Sequence, residues 1–280
     1  MLRVSWESSK TIASGVQYFK ASLLILKTLD FWDAIGEKTA MHASIFNDVI
    51  GPVMRGPSSS HCAAALRIGR LARDLMRGDL QEVLIEFDRQ GSLATTHESQ
   101  GSDMGLFGGL MGWEAADDRL PEAGLALAAQ GITIRMEIGD FGLTHPNTYR
   151  LILSNAHERH TLTAVSLGGG MVRVVDIDDF TLCIEGDCWE TLIYADQDGA
   201  LISESMQAMD LADQLLLHEV EGRHLIEIKT AQYLDSAQLS QFQGKFGGAV
   251  VHQLSPVLPV LSHRDQTVPF NTCAQMLAFN

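Results

Sequence analysis

The chain has 280 residues and a mass of 30.6 kDa, with 46% hydrophobic and 20% charged residues. That is enough apolar material for one large or two medium domains with real cores, and it excludes a disordered or low-complexity chain. Thirty-five acidic against 20 basic side chains leave a formal charge of −15, which repels a phosphate backbone and sets nucleic acid aside as a partner.

Residues 1–40 have no clear cap or period and no link to the motifs downstream. Met41 is read as the true start, with 1–40 an extension or the product of a mis-assigned start codon; an ordinary N-terminal helix is the alternative. The greasiest stretch, 21–32, is broken by Lys27 and Asp30. It falls short of the roughly 20 residues that a bilayer span needs, so no membrane partner is expected.

From His61 to Arg77 apolar residues recur at i, i+3, i+4 and i+7, which predicts an amphipathic helix with Arg67, Arg70, Arg73 and Arg77 on the other side, either a solvated face or one that meets an acidic partner. Val83 to Phe87 predicts a strand and Asp103 to Gly112 a glycine-rich helix packed closely against a neighbour. Ile132 to Ile138 and Thr148 to Ser154 alternate as strands do, with a Gly, Thr, His, Pro and Asn loop between them.

A new unit begins near residue 189. Strand Glu190 to Ala195, helix Gly199 to Asp213, a hairpin turning at Glu221-Gly222, helix Ser236 to Phe246 and strand Ala249 to Leu254 give the order βαββαβ. The expected class is α+β with α/β-type layers, divided into 41–188 and a ferredoxin-like unit at 189–260. Residues 261–280 are expected to be a linker and the opening of a further domain.

The sharpest local signal is Gly56-Pro57-Ser58-Ser59-Ser60-His61 at the head of the first helix. Small hydroxyl residues stand where an N-cap belongs, and free helical N–H groups there can face a carboxylate. His61 is placed to exchange a proton with the same ligand near neutral pH, although a plain helix cap beside a surface histidine fits too. His145-Pro146-Asn147-Thr148 is a stiff polar loop that either connects two strands or serves a site. Gly168-Gly169-Gly170 predicts a sharp turn or a close backbone approach and lacks the context of a dinucleotide site. Gln100-Gly101-Ser102-Asp103 is a second polar cap. Cys62, Cys183, Cys188 and Cys273 are too few for a disulfide framework, so a cytoplasmic setting is expected, and no ligand pair of matching spacing joins them, so no metal site is expected in this chain.

Residues 44–61, followed by Arg67-Ile68-Gly69-Arg70, by His145 to Thr148 and by the glycine triplet, occur in an order that resembles the beta part of iron-sulfur-dependent L-serine dehydratases. The resemblance covers about residues 41 to 190. It implies an allosteric-substrate-binding-like domain followed by an ACT-like βαββαβ domain. It also implies elimination of water from L-serine to give pyruvate and ammonia, in amino-acid catabolism. The 4Fe-4S cluster would be held by the cysteines of an alpha subunit or domain, of which 261–280 would be the truncated start. Ser58, Ser59 and Ser60 would hold the substrate carboxylate. His61 and His145 are both candidates for proton transfer or substrate contact, supported by Asn147 and Thr148. A dimer is expected, inactive without the alpha part.

Three positions depart from the family's pattern: Cys62 where threonine is common, Ser99-Gln100-Gly101-Ser102-Asp103 where Gly-His-Gly-Thr-Asp is favoured, and Asp196-Gln197-Asp198-Gly199 where ACT domains often carry Pro-Gly. A non-catalytic amino-acid-binding module and a lyase for another β-substituted amino acid are the alternatives.

Overall fold

The computed structural model describes residues 54–195, 214–246, 250–258, 272 and 275. Residues 1–40, the expected helix 199–213 and nearly all of 261–280 lie outside the described residues. The chain is of mixed α and β structure, and no helix among the described residues is long and apolar enough to cross a membrane.

Helix α1 (Ser59–Leu75) buries a stripe that includes Ala65, Ile68, Leu71, Ala72 and Leu75. It stops where Arg77 and Gly78 take positive φ, with Gly78 N–H donating to Arg73 O at 3.0 Å, a left-handed C-terminal turn that satisfies a last carbonyl. After β1 (Glu82–Asp88) come the short α2 (Leu93–Thr96), α3 (Ser102–Leu110) and α4 (Ala123–Ala129), then β2 (Thr133–Gly139) parallel to β1. Strands β3 (Thr148–Ser154), β4 (Arg159–Gly168), β5 (Met171–Ile177) and β6 (Phe180–Ile184) complete a six-stranded sheet of order β2-β1-β3-β4-β5-β6. The β3 to β6 pairings are antiparallel.

The expected close packing of the glycine-rich helix is against α1. A Cβ on Gly105 would fall 2.1 Å from Cys62 O, and one on Gly109 2.0 Å from Leu66 O, so only glycine lets the two backbones touch. This contact sets the height of α1 over the sheet core of Val83, Ile85, Phe87, Leu151, Leu162 and Val174.

The second sheet holds β7 (Trp189–Ala195), β8 (Gln214–Val220), β9 (Arg223–Thr230) and β10 (Val251–Leu254), with α5 (Ser236–Phe246) before the last strand. Its order is β10-β7-β9-β8 with every pairing antiparallel. The Glu221-Gly222 hairpin turn takes φ of 50° and 79°, the primed geometry that matches strand twist. Phe242 and Phe246 of α5 cover one face through Ile193, Ile226 and Ile228. From the other face Leu192, Leu225 and Leu254 join the core of the first sheet.

The arginine face departs from expectation. Arg67 is 3% exposed and donates to Gly170 O, because the glycine turn between β4 and β5 lies over this side of α1. Arg70 pairs with Glu114 at 2.8 Å, and Arg77 with Glu158 at 2.6 Å.

Candidate functional site

The sequence motifs gather at one end of the six-stranded sheet, where β1, β2 and β4 finish and β3 and β5 begin. Register fixes this: Asp88 lies beside Gly139, Thr148 opposite Val165, and Gly168 opposite Met171.

Ser58 is the N-cap of α1, in extended backbone with φ −121° and ψ 102°, and no side chain caps the helix. The first helical bond runs from Cys62 N–H to Ser58 O at 3.0 Å. The amides of Ser59, Ser60 and His61 therefore remain free of helical partners. Ser58 Oγ, which could have capped them, instead shares a 2.7 Å hydrogen bond with His61 Nδ1. The bend depends on Gly56 at φ +128°, where a Cβ would fall 2.7 Å from Cys62 Cβ.

The segment from Ser92 to Gly101 ties this helix start to the second motif. At one end Ser58 N–H donates to Gln100 O at 3.2 Å; at the other Ser92 N–H donates to Pro146 O at 2.8 Å. Ser92 Oγ donates to Asn147 Oδ1. Within the motif Asn147 N–H donates to His145 Nδ1 at 3.2 Å, which leaves the proton of a neutral ring on Nε2. Thr148 Oγ1 donates to His145 O at 2.7 Å. Asp88 Oδ2 accepts the N–H groups of Phe141 and Leu143, both at 3.1 Å, and so shapes the loop that carries His145. Those donors, with Gln90 N–H foremost, hold the Asp88 carboxyl below its ordinary range.

Ser58 and His61 are thus bonded to each other, as are His145, Asn147 and Thr148, and both groups hang on one loop. No hydrogen bond among the described residues joins His61 to His145. The Ser59 and Ser60 side chains make none that identifies a ligand.

Sequence reading overlooked His97, whose Nδ1 lies 2.8 and 2.9 Å from the two Asp103 oxygens and whose ring stands 5.3 Å from Phe87. Burial raises the Asp103 carboxyl even though His97 pulls it down. Six residues apart across a turn, the two follow no helical or strand period. Among the described residues Cys62, Cys183 and Cys188 do not gather as the ligands of an iron-sulfur cluster. Burial pushes the Cys62 thiol up to about 11, away from the thiolate a cluster needs, and no cysteine converges with two further donors among the described residues.

No protein-family model matches the chain. Over 146 residues it is 38% identical to a protein named "Probable L-serine dehydratase, beta chain" from Bacillus subtilis (strain 168), covering 52% of this chain and 65% of that one. Over 161 residues it is 34% identical to "L-serine dehydratase, beta chain" from Peptoniphilus asaccharolyticus, covering 55% of this chain and 70% of the relative. The chain thus spans about two thirds of the length of these curated relatives.

Proposed function

The chain belongs to the family of L-serine dehydratase beta chains, and from that premise we propose that it holds the amino acid for a cytoplasmic, 4Fe-4S-dependent L-serine dehydratase. The cluster belongs in this proposal to an alpha chain, and this chain's residues bind and orient the substrate. The free amides of Ser59, Ser60 and His61 take the carboxylate, aided by the positive end of the helix. His61, with its Nδ1–H donated to Ser58 Oγ and Nε2 free, accepts the α-proton, and His145, whose neutral ring carries its proton on Nε2, gives that proton to the departing β-hydroxyl, which leaves as water. The resulting enamine then hydrolyses to pyruvate and ammonia.

The observation that carries this reading is the Ser58 to His61 bond, because it frees the anion-binding amides and fixes a proton acceptor beside them in one stroke. The strand order of the second sheet, 4-1-3-2 when its strands are numbered within the unit, supports an ACT-like ferredoxin fold for it.

The test is pyruvate formation from L-serine by the full chain alone and reconstituted with an iron-loaded alpha chain. Activity is expected only in the pair, and His61→Ala should remove it. Pyruvate from the iron-free chain alone would overturn the division of labour. A His61→Ala pair that turns over normally but binds L-serine weakly would favour the non-catalytic binding module.

A further inference from the structure

We propose that Glu158, His160 and His252 form a binding site for one divalent transition-metal ion of the zinc class, clamping the two sheets together. His160 opens β4, Glu158 stands just before it, and His252 lies in β10 of the other sheet. The site is at the far end of β4 from the glycine turn, on the order of 25 Å from it at the rise of a strand.

His252 is fully buried at 0% exposure, yet neither of its ring nitrogens makes a hydrogen bond; the Leu75 backbone comes near without one of normal geometry. His160 Nε2 is likewise buried and unsatisfied. Leaving such atoms empty costs about 1–3 kcal/mol each, and one ion at this seam takes up a nitrogen from each of the two rings.

The other nitrogen of His160 is engaged. Its Nδ1 lies 2.6 Å from Asp178 Oδ2, and Asp178 is itself held by Thr161 N–H at 2.7 Å and the Tyr194 hydroxyl at 2.5 Å. A carboxylate on Nδ1 fixes the tautomer that turns the Nε2 lone pair inward, the outer-shell support typical of a metal-bound imidazole.

The donor atoms of the three residues all lie within 4.8 Å of one another, and Glu158 Oε2 is 3.8 Å from His160 Nε2. The two imidazoles meet edge to face with centroids 4.8 Å apart. Zinc–nitrogen bonds of about 2.0–2.1 Å at a tetrahedral angle set donors about 3.4 Å apart, so a pair at the 4.8 Å limit must close by about 1.4 Å, which rotation of the Glu158 and histidine side chains has to supply. Two imidazoles and one carboxylate are a zinc-type donor set, with a fourth position left for water. Arg77 opposes a cation here, since its Nη2 is 2.6 Å from Glu158 Oε2. It is half exposed and can keep the second carboxylate oxygen or swing outward.

The experiment strips the full chain with a chelator and titrates it with Zn2+ against a chromophoric competitor, then with Co2+ followed by visible absorption. Expected are one tight equivalent, a tetrahedral Co2+ band without sulfur charge transfer, and a higher Tm with Zn2+ because only the folded chain holds the three donors together. His252→Ala should abolish the tight equivalent. Since that change opens a buried hole, Glu158→Gln, with its circular dichroism checked, should weaken Zn2+ at least tenfold, and Asp178→Asn roughly ten- to a hundredfold. Absence of a saturable equivalent, a thiolate band pointing to Cys183, or affinity unchanged in Glu158→Gln and Asp178→Asn would overturn the proposal.

Discussion

Ser58 Oγ and His61 Nδ1 share a 2.7 Å hydrogen bond across the first turn of α1. An N-cap serine ordinarily gives its oxygen to a backbone amide, and capping of that kind contributes about 1 kcal/mol to a helix. Here the oxygen goes to the imidazole, so helix stability is exchanged for an open anion site with an oriented ring. In the reconstituted enzyme Ser58→Ala should lower kcat/KM for L-serine roughly five- to tenfold, the effect of one hydrogen bond of about 1 kcal/mol. His61→Ala should lose turnover altogether. Wild-type kcat/KM in Ser58→Ala would mean that the bond orients nothing of use.

The loop carrying His145 depends on Asp88. Asp88→Ala removes the acceptor of the Phe141 and Leu143 N–H groups. Amide exchange at 141–145 should quicken in the variant while the β1 and β3 amides stay protected. Because the folded carboxyl sits below its ordinary range, the hold is present at neutral pH and is lost as pH falls through its folded pKa. Equal exchange of this loop in wild type and variant at pH 7 would rule the role out.

Local patterns were legible where a feature closes within one turn or one strand. The 58–61 bend, the alternation of β3 and the Glu221-Gly222 hairpin needed no distant partner. Strands β4 to β6 went unread although His160 to Ser166 alternates, partly because the turn between β5 and β6 is Asp178-Asp179, at φ 53° and 72°, without the glycine that advertises such a turn. Arg67 misled because helical period places it opposite the apolar stripe, whereas what buries it is a turn about a hundred residues later. The His97 to Asp103 pair and the meeting of His160 with His252 likewise arise from tertiary structure, to which periodicity is blind.

The glycine contact between α1 and α3 predicts a sharp contrast. Gly109→Ala drives a Cβ to 2.0 Å from Leu66 O, a backbone atom that cannot move without shifting the helix. It should destabilise the chain by about 1–3 kcal/mol or more in urea unfolding. Gly124→Ala, on exposed α4 with nothing nearer than 3.6 Å, should be neutral or stabilise by up to about 1 kcal/mol through helix propensity. Similar losses at the two positions would show that the helices adjust their separation freely.

Asp176, near the end of β5 and two residues from Asp178, offers a pH test of its own. Burial first, then the charges of Asp179 and Asp178, push its carboxyl up to about 6, while Asp179 N–H, donating to Oδ1 at 3.3 Å, pulls the other way. In an unfolded chain an aspartate titrates near 3.9, approximately. Between those values the folded chain keeps a proton that the unfolded chain has released, so this group's contribution is favourable below about 4 and is lost as pH rises to about 6. Asp176→Asn keeps the Oδ1 acceptor and removes the charge. At pH 7 it should therefore be more stable than wild type by on the order of 1 kcal/mol, after allowance for the partial exposure of the site. At pH 4 the two should converge. Urea midpoints at both pH values read the difference directly, and a variant weaker than wild type at pH 7 would mean that the ionised carboxylate is bound favourably by partners closer than its two acidic neighbours.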